Sequence, residues 1–391
     1  METTSSKLKV EVAPSVLVWA RETIGLPLEP AAKKLGIKPT TLRNMEAGNS
    51  LVAMAKLRQM AKVYDRPLVA FFLPEPPIEQ DKIPDFRVLP EHESRAWSPA
   101  LHAAYRRVVG QRRVALDLAA TDDEPIPIVD LRLRPNDDEE QAGAEVRAWL
   151  SPPPLRVRDP YAVLNTWVRL IEDKGILVTQ VSDVAIEEMR GFSIGEHPLP
   201  AIAINGSDVP RGKLFTLMHE FVHILLHRSA LCDLEDAPAA LDPSARRLEW
   251  FCNSVAATIL MPREALLREP LVAAATSEIR WSEDELADLA GKFGVSAEAM
   301  LLRLVTLERA SREFYRERRP LYLQRYREQR QNGKGFLTYY AEQSRNLGRR
   351  YITTVWQAYE RGDISDPDLS TYLQTKPQNV PKLIQKVGLD Q

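Results

Sequence analysis

Two histidines four residues apart, with an acid directly after the first, stand in the run LFTLMHEFVHILLH at residues 214–227. On a helix, side chains at i and i+4 project from one face, so His219 and His223 can grip a single metal ion. Glu220 then sits beside that ion, where a carboxylate can take a proton from water. Zinc held by three protein groups lowers the pKa of a bound water to about 7, which makes hydroxide available at neutral pH. The chemistry implied is hydrolysis. The competing explanation is coincidence, or a histidine pair satisfied inside a core. Yet the chain holds only six histidines, and three of them fall between His219 and His227. Leu214, Phe215, Leu217, Phe221, Val222, Ile224, Leu225 and Leu226 make the helix apolar on nearly every side, so it should be buried. Burying two imidazoles and a carboxylate without partners costs on the order of 2 kcal/mol or more each. A divalent ion, Zn2+, relieves that cost.

A third protein ligand must come from elsewhere. The histidine that would extend the motif six residues on is missing, because position 229 is Ser229. His227 falls a further helical turn along, out of reach of the same ion, and reads as a helix-end or supporting residue. Glu249, on the next predicted helix, is the better candidate. That helix opens with Asp242-Pro243, an N-cap followed by proline at the first position. Its stripe Leu248, Cys252, Val255, Ala256 and Ile259 keeps small residues near Glu249 and permits close packing on the histidine helix. Taken alone, Glu249 would read as a surface partner of Arg246 or Arg247. Asp233, Glu235 and Asp236 are rival carboxylates in a loop, and Cys252 reads as core. The run Pro198–Asn205 reads either as an edge strand on which an extended peptide adds or as an ordinary buried strand.

These residues need a scaffold, and the flanking sequence predicts one. Helices are expected near 141–150 and 160–174, then short strands at 176–181, 191–194 and 201–205, then the two apolar helices at 211–227 and 243–260. Beyond Pro262 the chain reads as helical, with apolar spacing over 282–304 and 339–387. Upstream, residues 12–73 read as short helices. Gly36 closes the second and Pro39 opens the third, the pattern of a helix-turn-helix. In such a fold the third helix enters the major groove, and its exposed polar residues would be Lys38, Thr40, Thr41, Arg43 and Asn44. The alternative is a helical bundle that binds protein or simply packs, and Glu29 and Glu46 weigh against DNA. Residues 74–95 are rich in proline and charge and read as a linker, followed by a helix near 98–120. The acidic run Asp137–Glu140 reads as a solvated helix start.

The expected organisation is mainly α with a small α+β part. It has a helix-turn-helix bundle at 1–75, a linker and connecting helix at 76–140, a metallopeptidase core with a short three-stranded sheet at 141–270, and a helical region at 271–391. Its 391 residues exceed one ordinary core. The two cysteines, Cys232 and Cys252, form no CxxC pair, which argues against a disulfide scaffold and a cysteine-rich zinc site. The start METTSSKLKV lacks the apolar core of a signal peptide, and no uncharged apolar run approaches the roughly 18 residues of a membrane span. A cytoplasmic protein without membrane contact is expected. The formal net charge is -2, while the first 75 residues carry an excess of about four Lys and Arg, a hint of an anionic partner.

Three segments, FTLMHEFVHILLH (215–227), EWFCNSVAATILMP (249–262) and MRGFSIGEHPLPAIAIN (189–205), resemble the ImmA/IrrE family of bacterial metallopeptidases. LVWARETIGLPLEPAAKKLGI, TLRNMEAG and RPLVAFFLPEPP resemble the Xre-type, Cro-like helix-turn-helix fused to one subgroup of that family. The resemblance covers most of residues 12–265 and is loose beyond 270. It implies a gluzincin-like site with His219, His223 and Glu249 as zinc ligands and Glu220 as base, acting on a repressor-type protein. Phe221 departs from the family, which more often has a smaller Leu there. Two other functions compete with proteolysis. One is a DNA-binding regulator that uses the zinc fold as a sensor or scaffold. The other is an interaction protein such as a toxin–antitoxin component.

Overall fold

The computed structural model describes residues 8–77, 97–120, 126–153, 159–228, 230–232, 243–275, 277–332 and 338–389. Among these, residues 8–77 with 97–107 form one compact unit, and residues 108–389 form a second. Most of the expected 74–95 linker and the loop carrying Asp233, Glu235 and Asp236 lie outside the described residues.

In the first unit α1 (Pro14–Glu22), α2 (Leu28–Leu35), α3 (Pro39–Glu46) and α4 (Met54–Val63) follow at the expected places. Gly36 ends α2 at φ 62°, a left-handed conformation that costs glycine little, and Ile37 N–H turns back to Ala32 O at 3.0 Å. Leu17, Ala20, Ala32, Leu35, Leu42 and Leu57 share one core. A short antiparallel pair, β1 (Lys9–Val10) and β2 (Val52–Ala53), ties the start of the chain to the start of α4. Two-residue strands are too short to leave a periodic signal, so the sequence did not announce them.

The second unit contains most of α5 (Pro99–Ala119), then α6 (Glu139–Leu150) and α7 (Pro160–Asp173). The expected strands appear as β3 (Leu177–Val181), β4 (Gly191–Ile194) and β5 (Ala201–Asn205), joined by a short fourth, β6 (Ala230–Cys232), in the order β3-β5-β4-β6. β5 runs parallel to β3 and antiparallel to β4, so it is bonded on both sides and fully buried. The reading of Pro198–Asn205 as an edge strand is therefore corrected. A continuous apolar run such as AIAI marks an interior strand rather than an edge.

Across this sheet lies α8 (Pro210–Leu225), and α9 (Pro243–Leu260) packs beside it. Two glycines set the closeness of these layers. A Cβ at Gly191 of β4 would stand 2.6 Å from Thr216 and 3.0 Å from Glu220 on α8. A Cβ at Gly143 of α6 would stand 2.4 Å from Thr258 on α9. Beyond come α10 (Arg263–Leu267), α11 (Pro270–Ala274), α12 (Glu283–Phe293), α13 (Ala297–Thr306), α14 (Arg312–Asn332), α15 (Tyr339–Leu347), α16 (Arg349–Arg361), α17 (Asp366–Tyr372) and α18 (Val380–Val387). One core takes in Trp167, Leu217, Phe251, Leu286, Leu301 and Phe314, crossing the boundary expected at residue 270.

The acidic run before α6 does more than meet solvent. Asp138 caps the helix by accepting from Gln141 N–H at 2.8 Å. Glu140 takes both ends of the Arg303 guanidinium at 2.6 and 2.7 Å, and Arg303 Nε donates to Met261 O at 3.0 Å. Arg303 is only 3% exposed, so this fork clamps α13 onto α6 and the end of α9. Among the described residues no helix is long and apolar enough to cross a membrane.

Candidate metal centre

Every residue of α8 from Lys213 to Leu225 except Phe215 is buried, as the apolar sequence requires. His219, Glu220 and His223 are fully buried, and Glu249 is 6% exposed. The helical spacing holds the two rings 4.8 Å apart, centroid to centroid, with 66° between their planes. Their Nε2 atoms approach to 3.1 Å. From α9, Glu249 reaches them with Oε2 3.2 Å from His219 Nε2 and Oε1 3.3 Å from His223 Nε2. Glu249 is thus turned inward, away from the surface role its arginine neighbours implied.

This donor set suits a small divalent cation. Ligands at about 2.0–2.2 Å from a tetrahedral zinc stand about 3.3–3.6 Å from one another. The three donors converge at nearly that separation, and all their candidate atoms lie within 4.8 Å. Two imidazoles and one carboxylate are also the ligand types zinc takes when a fourth position stays open for water.

Electrostatics bind the trio together. Burial pushes the Glu249 carboxyl up, but hydrogen bonds with His219 and His223 overcome burial and hold it below the usual carboxylate range. Burial pushes both imidazoles down. For His219 that effect is outweighed by Glu249, with help from Glu220 and Asn253, so its pKa is raised. His223 keeps a lowered value, because burial and the neighbouring His219 outweigh Glu249.

Around these four side chains stand others the sequence did not single out. Ser193 on β4 donates from Oγ to Glu220 Oε2 at 2.8 Å, and both are fully buried. Asn253 on α9 places Oδ1 2.9 Å from His219 Nδ1. Asn253 lies four residues after Glu249, so a helical-face argument could have found it. Ser193 had no such signal, since only the strand-to-helix packing brings it to Glu220. Cys252, expected in the core, is fully buried with Sγ 3.7 Å from His223 Nδ1. Phe221, the departure from the family pattern, stacks on Trp149 with centroids 6.3 Å apart. His227 is no member of the cluster. It ends α8 with φ 54° and stacks on His197 at 4.6 Å, the helix-end role expected of it.

In the first unit α3 presents Lys38, Thr40, Arg43 and Asn44 as exposed, Thr41 as half-buried, and Leu42 as its core anchor. Glu46, which counted against a nucleic-acid face, is withdrawn from it. Arg21 of α1 takes both its oxygens, at 2.7 and 2.9 Å, and the Glu46 side chain is only 7% exposed. The acid neutralises an internal arginine and leaves α3 with a net basic surface.

Residues 17–71 match the helix-turn-helix family, and residues 171–305 match a peptidase family described as the IrrE N-terminal-like domain. The second match spans β3 to α13, including α8 and α9 and all four side chains of the candidate centre. No curated protein matches the chain. The chain thus joins an N-terminal helix-turn-helix domain to a peptidase domain of the IrrE/ImmA type, an arrangement that pairs DNA binding with proteolysis.

Proposed function

We propose that the protein is a zinc-dependent endopeptidase in which His219, His223 and Glu249 hold the metal and Glu220 is the general base. The observation that carries this reading is the convergence of three buried donors, 3.1–3.3 Å apart, beside a second buried carboxylate, that of Glu220. When bound, zinc supplies Lewis acidity that polarises a peptide carbonyl and makes water a usable nucleophile near pH 7. Glu220 takes a proton from the attacking water as the new C–O bond forms. It then delivers that proton to the departing nitrogen as the C–N bond breaks, so atoms and charges balance. Ser193 holds the Glu220 carboxylate in place by donating to one of its oxygens.

The substrate we propose is a repressor-type regulatory protein, cleaved to release transcription, with α3 directing the enzyme to double-stranded DNA. Support comes from the helix-turn-helix on the same chain and from the sequestration of Glu46, which leaves Lys38 and Arg43 unopposed on the outer face of α3. The test uses metal analysis with mass spectrometry of candidate repressors incubated with wild type and with Glu220→Gln. Expected are retained zinc in both, discrete cleavage by wild type, and loss of cleavage by at least about 100-fold in the variant. If the variant holds zinc and cleaves as well as wild type, proteolysis by this centre is ruled out.

A further inference from the structure

A ring nitrogen can ligate a metal only through its bare lone pair, so the proton of a ligating histidine must sit on the other nitrogen. In His219 it is Nε2 that faces Glu249 and the Nε2 of His223, at 3.2 and 3.1 Å. The proton therefore belongs on Nδ1. Opposite that atom, at 2.9 Å, stands the side-chain oxygen of Asn253, an acceptor with no proton to offer. His223 differs. Its Nδ1 faces the Cys252 sulfur at 3.7 Å, a weak acceptor.

We infer that Asn253 is the positioning residue that locks His219 in its metal-binding tautomer and aims its Nε2 at the cation. The inference rests on the metal-site reading above. Geometry across the helix pair accounts for it. Asn253 shares the inner face of α9 with Glu249, one turn along, so a single helix supplies one donor to the cation and orients another. The packing of α6 on α9 at Gly143, where a Cβ would stand 2.4 Å from Thr258, helps fix that helix against movement. Outer hydrogen-bond partners of ligating histidines set ring orientation and ligand basicity, and their loss weakens metal affinity by about 10–100-fold.

The experiment measures zinc affinity of the full chain by competition with a chromogenic chelator, for wild type, Asn253→Ala, Asn253→Asp and His219→Ala. The visible spectrum of each cobalt(II)-loaded protein and the melting midpoint of each metal-free protein are recorded alongside. Wild type should bind one zinc, Asn253→Ala should lose about 10–100-fold in affinity with an altered cobalt spectrum, and Asn253→Asp should bind within a few-fold of wild type. Aspartate keeps the acceptor, so its rescue separates tautomer control from a general packing defect. Equal affinity and an unchanged cobalt spectrum in Asn253→Ala would overturn the inference while leaving the metal site intact. Equal losses in the alanine and aspartate variants would overturn it too, assigning Asn253 to packing. A wild type that binds no zinc, or a His219→Ala that binds as tightly, would remove the metal site and this inference together.

Discussion

The Ser193 hydroxyl and the Glu220 carboxylate meet at 2.8 Å between a sheet strand and the helix above it. Gly191, two residues earlier on β4, has no side chain to keep that helix away, and its hypothetical Cβ would stand 3.0 Å from Glu220. Together they hold the acid in one rotamer beside the two imidazoles. A hydrogen bond to a charged group contributes about 1.5–3 kcal/mol. Ser193→Ala should therefore lower the turnover number by roughly 10–100-fold and leave zinc content unchanged. Steady-state kinetics with parallel metal analysis checks this, and undiminished turnover would show that Glu220 needs no such support.

Glu249 closes the donor triangle from the second helix, and no other carboxylate among the described residues joins the cluster. Removing it as Glu249→Ala leaves two donors where a stable zinc site uses three. Zinc retained after dialysis should drop from about one per chain to a small fraction. Retention at the wild-type level would hand the third ligand to a residue elsewhere.

Metal and fold should be linked. A ligand that binds only the folded state at a hundredfold excess over its Kd stabilises by about 2.7 kcal/mol. Chelation should lower the thermal midpoint of the unfolding transition, and added zinc should restore it. In His223→Ala the midpoint should no longer respond to either treatment, as differential scanning calorimetry would register.

Glu172, at the end of α7, gives a pH signature that owes nothing to the metal. It is 2% exposed, and burial pushes its pKa up to about 7 against the opposing hydrogen bond from Arg350 N–H at 3.0 Å. With a folded value above the unfolded one, the native state binds the extra proton between pH about 4.5 and 7, so stability falls as pH rises through that window. Above it the loss is complete, on the order of 3 kcal/mol. Glu172→Gln should flatten that slope and raise stability at pH 8, because glutamine keeps an oxygen for Arg350 and carries no charge to desolvate. Urea titrations at pH 5 and pH 8 decide it.

The buried fork between Arg21 and Glu46 makes two predictions for the first unit. Breaking a buried pair by truncating one partner typically costs about 3–5 kcal/mol, so Arg21→Ala should destabilise that unit by this order. Lys38→Ala and Arg43→Ala, both exposed, should leave its stability unchanged. Each should weaken DNA binding and reduce the slope of log affinity against log salt by about one. Mobility shifts across salt concentrations that register no change in slope would move α3 to a protein-binding role.

The sequence alone determined whatever depends on neighbours along the chain. The i, i+4 histidines, the apolar surround of α8, the caps of α2 and α3, and the strands β3, β4 and β5 are all local patterns. Side-chain period, glycine and proline are felt within a turn or two. Glu249 could be named as a candidate because a pair of histidine donors needs a third ligand and the next helix downstream is one place from which a carboxylate can return to it. The tertiary structure alone decided what depends on which surfaces meet. It put β5 inside the sheet, drew Glu46 onto Arg21, turned Glu140 from solvent to Arg303, and brought Ser193 and Asn253 against Glu220 and His219. Those partners lie 25 to 163 residues apart in sequence. No periodicity encodes such pairs, because a hydrogen bond between distant residues is selected by packing geometry and by the cost of burying either group alone.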